Sequence, residues 1–170
     1  MLKIGLTSRI FNFGPLILLY YLSISEIDTH FENYFEILSF NLQLIIIYFW
    51  ALKSPAVLGN GHVFAAGLIN DVVLGFPLGL SSLTFLTVSL VATYIKNMTV
   101  HTTIASDWFT FFIALLLSNL TFYLLASNFS GISISIQEIS YNTFFTFIFF
   151  PFFWLFFKYY NSLVRVGKNV

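Results

Sequence analysis

Ala65-Ala66-Gly67-Leu68-Ile69-Asn70-Asp71-Val72-Val73-Leu74-Gly75-Phe76-Pro77-Leu78-Gly79 sets a carboxylate inside an apolar run and then closes the run with turn residues. A carboxylate within a membrane span costs about 3 kcal/mol on insertion scales and more in simulations, so Asp71 is expected to face protein rather than lipid. Gly67, Asp71 and Gly75 recur at i, i+4 and i+8, which places two small residues on the helical face of the acid and admits a neighbouring helix at close range. At 1.5 Å per residue, Asp71 stands roughly 7.5 Å from the end of its helix. Pro77-Leu78-Gly79 then joins this helix to the next apolar run as an antiparallel hairpin. Reflecting Asp71 about that turn lands near Leu86 and Thr87, which makes Thr84 and Thr87 the expected hydroxyl partners. Two roles stay open for Asp71: pinning the hairpin by hydrogen bonds, or binding a partner or ligand.

Outward from the hairpin, the chain divides into further apolar runs bounded by charges and turn residues. The reading gives helix 1 at about 9–25, helix 2 at 35–52, helix 3 at 57–76, helix 4 at 81–97, helix 5 at 107–127 and helix 6 at 141–160. Hydrophobic residues make up 58% of the 170 and charged residues only 8%, too few to coat a soluble core. The fold class expected is an all-α integral membrane protein, one polytopic domain over residues 1–170 with six transmembrane helices. Lys3 and Arg9 precede the first run without an Ala-x-Ala-like cleavage site, and further spans follow, so a retained helix is expected rather than a signal peptide.

The seven cations are Lys3, Arg9, Lys53, Lys96, Lys158, Arg165 and Lys168. All fall on one side of a six-span zigzag, while Glu26, Asp28, Glu32, Glu36 and Glu138 fall on the other. The positive-inside rule then puts both termini in the cytoplasm. Trp50, Trp108, Trp154, Tyr159 and Tyr160 lie near the cytoplasmic ends, where amphipathic rings favour the interface.

Net charge is zero, so no basic patch invites nucleic acid. Cysteine is absent, which excludes disulfides and thiolate chemistry. His30, His62 and His101 lack the spacing of a metal site. No phosphate-cradling loop, nucleophile elbow or His-Glu-x-x-His motif is present, so neither an enzyme nor a cofactor is expected. Asn41, Gln43, Ser118, Asn119 and Thr121 read as interhelical hydrogen-bonding groups. Pro151 is expected to bend helix 6, and Ser106-Asp107 to cap helix 5.

The stretch from Tyr48 to about Tyr94 resembles the MreD family of rod-shape-determining membrane proteins. The pattern is carried by Gly67-Leu68, Asp71, Gly75 and Pro77-Leu78-Gly79, with Pro55, Phe64 and Leu83 around it. Asn70 departs from the aliphatic residue more usual there, and Glu32 to Glu36 lack the proline many members carry. The resemblance implies a non-enzymatic scaffold of the cell-elongation machinery in the bacterial inner membrane. It further implies association with the single-span protein MreC and, through it, with the MreB filament and the peptidoglycan synthases. It implies a six-helix bundle similar to the substrate-binding subunit of energy-coupling-factor transporters. Together with the hydroxyls reached by reflection, the candidate structural or partner-binding positions are Gly67, Asp71, Gly75, Pro77, Leu78, Gly79, Thr84 and Thr87.

The alternative is a substrate-binding membrane subunit of a vitamin-type transporter. Such subunits engage their membrane partner through small residues on helix 1, and Ile10 to Tyr20 shows no such pattern. A ligand site also needs several convergent polar groups, whereas Asp71 stands almost alone in the sequence. A membrane assembly factor of unrelated lineage is a third possibility.

Overall fold

The computed structural model describes residues 13–25, 40–99, 103–130 and 136–166. These form six α-helices: α1 (Gly14–Ile24), α2 (Leu42–Lys53), α3 (Asn60–Leu74), α4 (Leu80–Met98), α5 (Ile104–Leu125) and α6 (Ile136–Val166). A π-helical turn, Ala126–Ser130, continues α5. The portions of the expected helices at 9–12 and 35–39 lie outside the described residues, as do Lys3, Arg9, His30, His101 and the acids from Glu26 to Glu36.

α2 occupies the centre. Every residue from Leu44 to Leu52 is buried, and a helix apolar on all sides has no face for water. Around it α1, α3, α4, α5 and α6 form an arc in that order, each packed on the next, with α2 touching α1, α4, α5 and α6. Asn41 opens α2 by accepting the Leu44 amide at 3.1 Å, and Thr103 opens α5 by accepting the Ser106 amide at 3.2 Å. Thr103 therefore takes the capping role expected of Ser106-Asp107. Pro15 falls in the first turn of α1, where a missing N–H leaves no helical acceptor unpaired.

Large aromatic side chains fill the interior. Tyr48 packs edge-on against Phe111 and Phe150, whose rings stack at 4.2 Å between centroids. Toward the Lys53 end, Trp50 and Phe49 both pack on Phe157. The outward faces are apolar too: α5 exposes Phe109, Leu116 and Leu120, and α6 exposes Phe144, Phe152 and Phe156. Two helices, Ile104–Asn128 and Ile136–Leu163, are long and apolar enough to cross a membrane. α1 and α2, at 11 and 12 residues, rise only about 16 and 18 Å.

Candidate functional site

One side chain caps the turn of the α3–α4 hairpin. α3 ends at Gly75, whose φ of 67° lies in the left-handed region. There the Phe76 amide donates to the Asp71 carbonyl at 2.9 Å and the Gly75 amide donates to Val72 at 3.4 Å, a Schellman closure. The chain passes the exposed tip Pro77-Leu78 and re-enters helix at Leu80, with Gly79 at a φ of 104° as N-cap. Glycine has no side chain to satisfy the free amides of the first turn.

Asp71 supplies that cap from the neighbouring helix. Its Oδ2 accepts the Gly79 amide at 2.8 Å and its Oδ1 accepts the Ser81 amide at 2.7 Å. The Ser82 hydroxyl donates to Oδ2 at 3.4 Å. The residue is fully buried, and its negative charge sits where the α4 dipole favours an anion. With both oxygens engaged and no exposed surface, Asp71 acts as a tertiary helix cap.

Four residues earlier on the same face, Gly67 brings the two backbones into contact. A Cβ at Gly67 would overlap the Ser82 Cα and lie 2.6 Å from the Ser82 amide nitrogen. A Cβ at Gly75 would meet nothing within 4 Å, so Gly75 serves the turn through its φ and not through close packing.

Thr84 and Thr87 are not partners of Asp71. Their hydroxyls donate to the carbonyls of Leu80 and Leu83 one turn earlier, at 2.8 and 2.9 Å, a local bond open to any helical threonine. Thr87 also lies 3.4 Å from Thr121 of α5. The reflection about Pro77–Gly79 overshoots because the carboxylate reaches the unpaired amides at the very start of α4, which need an acceptor more than the threonine hydroxyls do.

Asn70, beside Asp71, extends the polar contacts across the bundle. Its amide donates to Ser81 Oγ at 3.0 Å, and its carbonyl oxygen accepts from Gln43 Nε2 at 3.3 Å. Gln43 Nε2 also reaches Ser23 of α1 at 3.4 Å. Asn70, Ser81 and Gln43 border a cavity of about 430 Å³. α2 contributes Asn41 and Gln43 to its wall, α3 Asn70, α4 Ser81 and Thr84, α5 Asn119, and α6 Glu138 and Asn142. The polar groups that look scattered in sequence thus converge, which corrects the expectation that Asp71 stands almost alone.

A second buried carboxylate lies at the opposite end of the bundle. Asp107, 1% exposed, pairs with Lys53 Nζ at 2.7 Å and accepts from Trp154 Nε1 at 2.9 Å on the same Oδ2. Its Oδ1 is buried with no hydrogen-bond partner among the described residues. The ammonium groups of Lys53 and Lys158 lie 5.8 and 5.0 Å from the Trp154 ring centroid, within cation–π range. Asp107 is thus an interior counter-ion, a role its place beside Ser106 does not reveal.

Among the described residues no group of three His, Asp or Glu could hold a metal ion. His62 Nδ1 instead lies 3.2 Å from the Tyr20 hydroxyl. Comparison with protein-family models, curated proteins and solved structures finds no match to the chain.

Proposed function

We propose that this chain is a non-enzymatic scaffold of the cell-elongation machinery, with six membrane spans in the bacterial inner membrane and both termini in the cytoplasm. The observation that carries the reading is the Gly67–Gly79 hairpin: the residues behind the MreD resemblance are the ones that Asp71 and Gly67 lock into a single unit.

The distribution of polarity supports the membrane setting. Ser81, Ser82, Ser89 and Ser118 are buried while Phe109, Leu116, Phe152 and Phe156 are exposed. Water would penalise so large an apolar exterior. Bundles in lipid, in contrast, pack small and polar residues inward. The described cations Lys53, Lys96, Lys158 and Arg165 lie toward the C-terminal ends of α2, α4 and α6, the ends that the positive-inside rule assigns to the cytoplasm. A single cysteine at exposed Ala56 would then resist labelling from outside sealed cells, whereas efficient labelling there would refute the orientation.

A scaffold acts by holding other membrane helices in place. Its depletion is expected to make elongated cells round up and to lower recovery of an MreC-type protein with the peptidoglycan synthases. Unchanged shape on full depletion would refute the proposal. The cavity beside Asn70 favours a second reading, the substrate-binding subunit of a small-molecule transporter, which requires that the chain assemble with an ATPase module.

A further inference from the structure

We infer that the cavity between the start of α2 and the start of α6 binds a small organic ammonium ion with an apolar or aromatic body. The inference concerns the cavity alone and stands whether the chain is a scaffold or a transporter subunit.

A volume of about 430 Å³ falls within the usual range for small-molecule sites. Among the described residues five helices contribute to its wall, so the packing of the bundle shapes it. Several of its polar donors already have acceptors. Gln43 Nε2 is shared between Asn70 and Ser23, Asn70 Nδ2 is held by Ser81, the Thr84 hydroxyl is held by Leu80, and Asn119 Nδ2 donates to Thr143.

Acceptors remain. Gln43 Oε1, Asn119 Oδ1 and the exposed Glu138 carboxylate take no hydrogen bond among the described residues. Two neutral oxygens and one anion therefore line the cavity, beside the Asn41 side-chain amide and the Ser81 hydroxyl, and the anion favours a ligand that carries N–H groups and positive charge. The remaining wall includes Leu74, Phe76, Phe85 and Phe122. Phe76 and Phe122 meet edge to face at 6.1 Å, and such rings suit an apolar body and can approach a cation through their faces. An anionic ligand would instead meet Glu138, with no cation among the described residues of the cavity wall.

The competing explanation is that Glu138 is only a first-turn acid favoured by the α6 dipole. Binding measurements separate the two. The intact chain, purified into lipid nanodiscs, is titrated with 2-phenylethylammonium, with neutral 2-phenylethanol and with anionic 3-phenylpropanoate, by equilibrium dialysis and by the shift in unfolding temperature. The inference predicts saturable binding of the ammonium, about tenfold or more tighter than the alcohol, a difference of about 1.4 kcal/mol, and no saturable binding of the anion. Glu138→Gln should abolish the preference for the cation while leaving the unliganded protein folded, and Asn119→Leu should weaken binding of the ammonium. Absent or non-saturable binding of the ammonium overturns the inference, as does equal binding of all three probes or an unchanged preference in Glu138→Gln. The probe comparison on the wild-type chain decides the matter even if Asn119→Leu fails to fold.

Discussion

The indole nitrogen of Trp108 donates to the carbonyl oxygen of Phe147 at 2.9 Å, the oxygen that Pro151 deprives of its partner four residues on. Proline has no N–H to return to that carbonyl, and helix 5 supplies the missing donor to helix 6. The two rings also stack, 5.0 Å apart at 22°. Trp108→Phe keeps an aromatic ring but removes the donor, so it should destabilise the protein by about 1–3 kcal/mol, the usual cost of an unsatisfied buried polar group. Combining it with Pro151→Ala, which restores an amide for the carbonyl, should recover much of the loss in unfolding titrations. Additive effects of the two changes would contradict this account.

Asp71→Asn should not be silent. Both carboxylate oxygens accept backbone N–H groups, whereas an asparagine offers one acceptor and turns an NH2 donor toward the other amide. A loss of about 1–3 kcal/mol is expected for the unsatisfied amide, visible as a lower unfolding temperature. Gly67→Ala should be at least as damaging, because its Cβ would meet the backbone of Ser82 and trimming Ser82 to glycine removes none of the clashing atoms. Full rescue of Gly67→Ala by Ser82→Gly would show that the helices are not in backbone contact.

Gly75 should behave differently from Gly67. Space surrounds it, and only its φ of 67° restricts the choice of residue. Asn, which tolerates the left-handed region, should be the mildest substitution. Val should cost at least about 1–2 kcal/mol. Equal stability of Gly75→Asn and Gly75→Val would remove the conformational argument.

The Lys53–Asp107 pair can be dissected in the same manner. Lys53→Met leaves Asp107 charged in the interior and should cost about 3–5 kcal/mol, the range for breaking a buried pair. Adding Asp107→Asn removes the charge while keeping an acceptor for Trp154 Nε1, and should restore most of the stability. If the double variant is as unstable as Lys53→Met alone, burial of the charge is not the cause.

The helices were legible wherever apolar runs meet turn residues. The expected 81–97 and the observed Leu80–Met98 agree closely, since Gly79 and the polar stretch after Met98 mark both ends. α6 runs further than expected in both directions, to Ile136 and Val166, because its polar ends continue the helix beyond the apolar run that marked it. Asp71 was legible as a residue that needs a partner. Its partner was not, since a backbone amide has no signature in sequence and the hairpin register depends on the contact at Gly67. Asn41, Gln43 and Asn119 were visible as polar interruptions, each explicable by one interhelical bond. Their convergence with Glu138 depends on how five helices pack around α2, which no local pattern encodes. Asp107 was hidden for a related reason: a serine before an aspartate looks like a cap, and only the arrival of Lys53 and Trp154 makes that carboxylate an interior ion.

The scaffold proposal is tested most directly by recovering the tagged chain from native membranes in mild detergent and identifying the proteins that accompany it. The account predicts an MreC-type single-span protein together with peptidoglycan synthases, retained when Lys96 or Glu138 is replaced and lost when Gly67→Leu separates α3 from α4. Recovery of an ATPase module with a tightly bound vitamin-like molecule, and no single-span partner, would contradict it.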